Sequence, residues 1–386
     1  MTDALPIQDV SPIYGEHPLT PAPAGSPFDR AHRLATDASS GRLSNGFPPE
    51  FAFEAMTAGE LHKPIVGTIK DAALIAELEP WSLVEQGVAQ WMRTDYDAPM
   101  GMALEASGRP DGCEELLPSP LGHDPLPARS VARMATMLDD GYMLALHGAG
   151  DRHVRLQQLL EDIERALGVA VVSTVFAGVR TALGPLPSAS VYDRLMIQVG
   201  GQRHVGLTHT ADERGHMTLR RGHVLFVPAG WVARHEPIDD DTVHLELTLT
   251  RPSAEQAPMP APADPDVHRD EAIDIPEDLA AVWRAWLPAR GATAVGLATR
   301  TLVQGTWAQV TVRLALPGGI YGMGAEIDNR YAAGGFEFTI VPEAIDAVAD
   351  LLATDGILGS EVNPALLEGL LRAGILTLSP IGDASD

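Results

Sequence analysis

Four side chains in the middle of the chain are of types that bind transition metals: His223, His235, His244 and Glu246. Imidazole and carboxylate groups together make the facial triad of non-haem Fe(II) enzymes. His244 and Glu246 alternate within "TVHLELTLT", so on a strand they share a face. Two interpretations stay open, a metal site built from these four residues or polar residues scattered on outer strand faces, and the second is favoured.

A second group of polar residues lies in "QRHVGLTHTADERGHMTL" and comprises His204, His209, Asp212 and His216. The piece "ADERG" between them is typical of a turn. We therefore expect an exposed hairpin rather than a site. Cys113 has no histidine near it in sequence and lies in a polar segment, so a catalytic thiol is not expected.

The segments that must position these residues are short strands behind one helix. "DRHVRLQQLLEDIERALG" places leucine and isoleucine on one helical stripe and ends at Gly168. "RLMIQVGG", "HVLFVPAGW" and "TVHLELTLT" follow as short apolar or alternating runs separated by turn residues. This order predicts an α+β chain with an antiparallel barrel or sandwich and a helical buttress.

Two of these stretches also carry a recurring set of residues. "PSASVYDRLMIQVGGQR" has Tyr192, Asp193, Leu195, Ile197, Gln198, Gly201 and Arg203, and "RRGHVLFVPAGW" has Gly222, Pro228 and Gly230. In type and spacing they resemble the JmjC branch of the cupin superfamily, in its bacterial ribosomal-oxygenase form. The resemblance implies a double-stranded β-helix barrel, followed by a helical segment and a winged-helix-like domain.

The same resemblance implies which positions would hold iron and 2-oxoglutarate. The three metal-ligand positions are occupied here by Ser188, Ser190 and Ala233, so the motif is degenerate. Serine hydroxyls are weak donors to Fe(II) at neutral pH, and alanine offers no donor atom. Arg203 and Thr174 are the implied contacts to 2-oxoglutarate or another acid; on a strand rim, an arginine is more often a solvated charge.

Changes in amino-acid composition divide the chain into segments. The proline-rich runs "HPLTPAPAGSP" and "RPSAEQAPMPAPADPD" are typical of linkers. The C-terminal pattern of helix, helix and strand is the outline of a winged helix. We expect six segments: a disordered N-terminal segment (1–50), a mostly helical lead-in (51–125), the JmjC/cupin-like barrel (126–252), a Pro-rich linker (253–274), a helical dimerisation-like segment (275–320) and a winged-helix-like domain (321–382).

The bulk composition restricts the partners. The formal net charge of −25 argues against nucleic-acid binding. It suits either solubility alone, which is favoured, or a basic peptide or protein partner. The single cysteine, the absence of a signal-peptide pattern and the absence of a long apolar run predict a cytoplasmic protein without membrane segments.

Three functional hypotheses follow. The first is a JmjC-like protein that has lost its oxygenase activity, needs no cofactor and acts as a peptide- or protein-binding scaffold. The second is an active Fe(II)/2-oxoglutarate-dependent hydroxylase with relocated metal ligands. The third is an assembly role in which the chain forms a homodimer.

Overall fold

The structure is a computed structural model of the whole chain, and it describes most of the polypeptide. The described residues are 6–13, 19–51, 53, 56, 61–91, 104–107, 115–117, 132, 135–148, 153–178, 190–209, 213–237, 242–250, 277–287, 290, 295–323 and 329–381. Ser188, Asp212, Cys113 and the predicted linker lie outside them. The chain divides into two compact units: a central unit (41–160 and 171–250) and a C-terminal unit (1–40, 161–170 and 251–386).

The architecture is α+β, and every strand pairing described is antiparallel, which confirms the predicted fold class at this level. The helices are α1 (Pro27–Gly46), α2 (Ala72–Glu77), α3 (Pro80–Trp91), α4 (Val154–Leu167), α5 (Glu277–Trp286), α6 (Val295–Gln304), α7 (Ile345–Ala353) and α8 (Pro364–Arg372). None of the described helices has the length and apolar character needed to cross a membrane.

The central unit contains two sheets. Its strands are β3 (Ile65–Thr68), β4 (Leu104–Ser107), β5 (Glu115–Leu117), β6 (Met143–His147), β7 (Ala170–Gly178), β8 (Asp193–Gly200), β9 (Gln202–Thr208), β10 (Arg214–Arg220), β11 (His223–Val227), β12 (Val232–Pro237) and β13 (Thr242–Thr250). Eight form one sheet in the order β3-β11-β8-β13-β7-β6-β4-β5, and three form another in the order β10-β9-β12.

The two sheets of the central unit pack face to face. A buried cluster joins Met196 of β8 and Leu225 of β11 to Val205 and Leu207 of β9 and to Ala233 of β12. On the other side of the eight-stranded sheet, alternate residues such as Ile197 and Leu245 are also fully buried. The central strands of this sheet are therefore buried on both faces, which is how polar residues of β8 and β13 come to lie inside the unit.

The C-terminal unit contains the remaining strands: β1 (Ile7–Pro12), β2 (Leu19–Thr20), β14 (Val310–Leu314), β15 (Tyr321–Met323), β16 (Arg330–Ala333), β17 (Phe336–Ile340), β18 (Ile357–Leu358) and β19 (Leu376–Pro380). They form sheets of order β1-β17-β16-β15-β2 and β18-β14-β19. Apolar residues of both sheets and of helices α7 and α8 form one buried cluster. The Asn363 side chain caps α8 by accepting a hydrogen bond from the Ala365 N–H at 2.9 Å.

The N-terminal segment differs from the expectation of disorder over residues 1–50. Within its described part, α1 fills Pro27–Gly46, and β1 pairs with β17. The buried positions of α1 recur at helical spacing, but three of them are the small residues Ala31, Ala35 and Ser39. Small residues give little hydropathy contrast, so the helical period was missed.

The segment 51–125, expected to be mostly helical, contributes strands as well as α2 and α3. Strand β3 pairs with β11, and β4 pairs with β5 and β6. Strands of three or four residues are too short to show an alternating pattern. Their pairing is set by main-chain hydrogen bonds that include strands far along the chain, β11 for β3 and β6 for β4.

Candidate functional site

The space between the two sheets of the central unit is lined by polar side chains. Arg203, His235 and His244 are 0%, 3% and 0% exposed. They come from β9, β12 and β13, and each occupies the inward-facing register of its strand. The expectations that Arg203 is a solvated rim charge and that the two histidines lie on outer strand faces are therefore wrong. The cause is the second sheet, which covers this face.

Arg203 and His235 are joined directly. Arg203 Nη1 lies 3.0 Å from His235 Nδ1. A guanidinium can only donate, so Nδ1 must accept and the His235 proton must lie on Nε2. Burial, reinforced by Arg203 and Arg194, holds the pKa of His235 well below its ordinary value, so the ring is neutral.

His244 stacks between two rings. Its centroid lies 5.3 Å from that of His235 and 4.8 Å from that of Phe176. Among the described residues, neither of its ring nitrogens has a hydrogen-bond partner. Burial lowers the pKa of His244 well below its ordinary value, and the positive charge of Arg203 lowers it further. Two buried ring nitrogens without partners are energetically costly unless a polar group meets them.

The charges of this region do not balance within the described residues. Burial lowers the pKa of Arg203 to about 9, and Glu246 is the acid that opposes this shift. Glu246 also lies 3.8 Å from Arg194, and burial raises its pKa. Two guanidinium groups therefore share one carboxylate, and Arg203 Nε and Nη2 lack partners among the described residues.

The two motif segments meet at the start of β8 and of β12. The Gly230 N–H donates to the Ser190 carbonyl at 2.7 Å, and the Ala229 N–H donates to Asp193 Oδ1 at 2.8 Å. The Ser190 hydroxyl is engaged with the main chain of Tyr192, at 2.9 Å from its oxygen and 3.1 Å from its nitrogen. It therefore stabilises a local turn.

The other described residues that the sequence singled out lie in buried, half-buried or exposed surroundings. Ala233 is buried in the aliphatic cluster with Leu207 and Trp231. The Thr174 hydroxyl lies 3.1 Å from His147 Nδ1. His223 begins β11 opposite Thr68 and is half-buried. His209 and His216 are exposed, as expected for the β9–β10 hairpin.

Two residues near the site could not be recognised from the sequence, the half-buried His147 and the buried Arg194. Arg194 follows the "YD" piece and reads as a polar residue at a strand start. Its Nη2 nevertheless donates to the Trp231 carbonyl at 3.2 Å. No local pattern distinguishes it from a solvated arginine.

The described residues do not offer a fit for iron. Among them, no three His, Cys, Asp or Glu side chains are grouped as a metal site. Of the four residues considered above, His235 Nδ1 is occupied by Arg203, Glu246 faces Arg194, and the His235 and His244 rings stack at 25°.

Two solved structures of YcfD from Escherichia coli, one described as a ribosomal oxygenase, share this fold. Each is 14% identical to this chain, covers 83% of it and 96% of its own length, and superposes with a TM-score of 0.50. At that identity the likeness shows the fold alone. No protein-family model matches the sequence, and no curated protein matches it.

Proposed function

We propose that this chain uses an oxygenase-type scaffold to bind a peptide or protein and carries out no iron-dependent oxidation. The observation that supports the proposal is that two successive inward-facing positions of β12 have different surroundings. Ala233, the implied ligand position, lies among aliphatic side chains, while His235 two residues later contacts a buried arginine. Within the described residues, the implied ligand position Ala233 offers no donor atom, and the nearby His235 uses its Nδ1 to accept from Arg203.

The proposal includes the finer architecture. The strands of the two central sheets that lie within residues 126–252 form the double-stranded β-helix. Helices α7 and α8 with β19 form the winged-helix-like domain (321–382), and the segment 275–320 before it serves dimerisation. In α8, Arg372 is engaged by Glu368 at 2.8 Å. A protein contact therefore suits this domain better than nucleic acid does, and the net charge of −25 favours a basic partner in the cytoplasm.

The interior of the scaffold keeps a feature suited to acids. Arg203 is a fully buried cation, and two of its nitrogens, Nε and Nη2, lack partners among the described residues. A carboxylate accepts hydrogen bonds from a guanidinium in a bidentate manner and would offset its charge. We infer that a small carboxylate, or an acidic group of the bound partner, occupies this position without a metal.

The metal-independent character is tested by adding Fe(II) and 2-oxoglutarate to the purified chain under anaerobic conditions. We expect Fe(II) alone to cause no thermal stabilisation, and 2-oxoglutarate to stabilise equally with and without Fe(II). A ligand present at 100 times its Kd adds about 2.7 kcal/mol, which a melting curve resolves easily. The bound iron after dialysis should be far below one equivalent per chain.

A matched control distinguishes iron bound by exposed histidines from iron bound in the interior. Any residual iron should fall in His216→Ala, on the exposed hairpin, and should be unchanged in His244→Ala. One equivalent of saturable iron that is lost in His244→Ala would contradict the proposal.

A second candidate function rests on the adjacency of His235 and His244, whose ring centroids are 5.3 Å apart inside the unit. In this candidate the chain is an Fe(II)/2-oxoglutarate-dependent hydroxylase with relocated ligands. Its test is conversion of 2-oxoglutarate to succinate. We expect the wild-type rate to equal that of His235→Ala and of His244→Ala. Turnover that either substitution abolishes would establish the second candidate instead.

A further inference from the structure

The outer face of the three-stranded sheet is basic although the chain as a whole is acidic. On β10, Arg214, His216 and Arg220 are exposed and alternate along the strand, with Thr218 between them on the same face. Arg234 of β12 is exposed on this face too. We call these four residues, Arg214, His216, Arg220 and Arg234, the basic face. They stand out because the whole chain has 52 acidic and 27 basic residues.

The positive charge of this face is not neutralised within the described residues. Glu236 pairs with Arg234 at 3.2 Å, and both side chains are well exposed, so water screens this pair. Arg214 and Arg220 form no ion pair among the described residues. Two guanidinium groups, six residues apart on one strand, are thus available to an anionic partner.

The same strand is an edge. Among the described residues β10 pairs with β9 alone, so its other side is without a strand partner there. An added peptide strand gains main-chain hydrogen bonds along such an edge, and its side chains give the specificity. Alternate side chains of any extended strand repeat at about 6.8 Å. An acidic peptide with carboxylates at every second residue would therefore match the spacing of the β10 side chains.

We propose that β10 is a docking strand for an extended acidic segment of a partner protein, held by strand addition and by Arg214 and Arg220. This site is separate from the interior site at Arg203, and it does not depend on whether iron binds. The choice of peptide over nucleic acid follows from the strand edge, because main-chain pairing rewards a peptide and not a phosphate backbone.

The test uses a fluorescein-labelled peptide of alternating Glu and Thr, eight residues long, titrated against the full chain. We expect saturable binding that weakens by about tenfold or more in Arg214→Glu and in Arg220→Glu, since each reversal removes a charge-assisted contact. Arg300→Glu, a matched reversal of an exposed arginine in α6, should leave the Kd unchanged.

Two further probes make the outcome decisive. An alternating Lys and Thr peptide should show no dependence on Arg214 or Arg220. Tighter binding of an oligothymidine of equal charge, with the same dependence on the two arginines, would overturn the proposal in favour of nucleic acid. Absence of peptide binding, or binding indifferent to both reversals, would also overturn it and leave the arginines as charges that protect an edge strand.

Discussion

Replacing Arg203 with methionine is expected to abolish stabilisation by 2-oxoglutarate without lowering the stability of the free protein. The guanidinium is 0% exposed, and its one described hydrogen bond is to a neutral imidazole. Burying an incompletely paired charge costs several kcal/mol, and an apolar side chain of similar volume avoids that cost. The free energy of unfolding of Arg203→Met should therefore equal or exceed that of the wild type.

The ligand effect should move in the opposite direction. If a carboxylate binds the wild type at 100 times its Kd, it adds about 2.7 kcal/mol, and for a unit of 150–250 residues each kcal/mol raises the Tm by about 2–4 °C. Arg203→Met should lose this entire shift. Melting curves of both proteins over a series of 2-oxoglutarate and succinate concentrations measure it.

Two variants separate binding from packing. Arg203→Lys keeps the charge but loses the bidentate fork, so its shift should be smaller than that of the wild type but present. Arg234→Met, an exposed arginine on β12, should leave both the stability and the shift unchanged. A full ligand shift in Arg203→Met would show that the acid binds elsewhere or that the interior holds none.

Strands could be predicted where their own residues alternate between apolar and polar types. The burial of a strand face could not be predicted where a strand distant in the chain covers it. The alternation of "TVHLELTLT" gave β13 and the two faces correctly. It did not show that both faces are buried, because the covering strands β9 and β12 belong to another sheet. For that reason His244 and Arg203 were expected in solvent and are found inside.

Helices, like strands, could be predicted where the sequence pattern is local. The stripe of α4 and the ends of α7 and α8 follow from local spacing, and Gly168 and Gly374 adopt the positive φ expected at helix ends. The pairing of Ile7 with Ile340 could not be predicted, since main-chain hydrogen bonds across more than 300 residues leave no trace in either segment. The degenerate motif remains a prediction, with Ser188 outside the described residues.

The polar residues Glu161, Glu164 and Arg165 of α4 are buried and belong to the C-terminal unit. Glu164 accepts hydrogen bonds from Arg290 Nε at 2.9 Å and from Nη2 at 2.5 Å, a bidentate pair with Glu164 0% exposed. Nearby, Glu161 pairs with Arg165 and Arg313. The last turns of α4 are thus held by ion pairs on the side that the leucine stripe leaves polar.

Glu164→Ala is expected to be the most destabilising single change among these pairs. Removing one partner of a buried pair typically costs about 3–5 kcal/mol, because the remaining charge is left without its carboxylate. Chemical denaturation should show a lower midpoint for the C-terminal unit. Tryptophan fluorescence includes this transition, because three of the six tryptophans, Trp283, Trp286 and Trp307, belong to that unit and the other three belong to the central unit.

The double variant Glu164→Leu with Arg290→Met distinguishes charge from packing. Replacing both partners with apolar groups of similar volume is often neutral or stabilising, so most of the loss should be recovered. The exposed pair Glu368–Arg372 supplies the reference, since Glu368→Ala should cost less than about 1 kcal/mol. If the double variant were as unstable as Glu164→Ala, the pair would contribute through its specific hydrogen bonds, and the polar side of α4 would be a requirement of the fold in its own right.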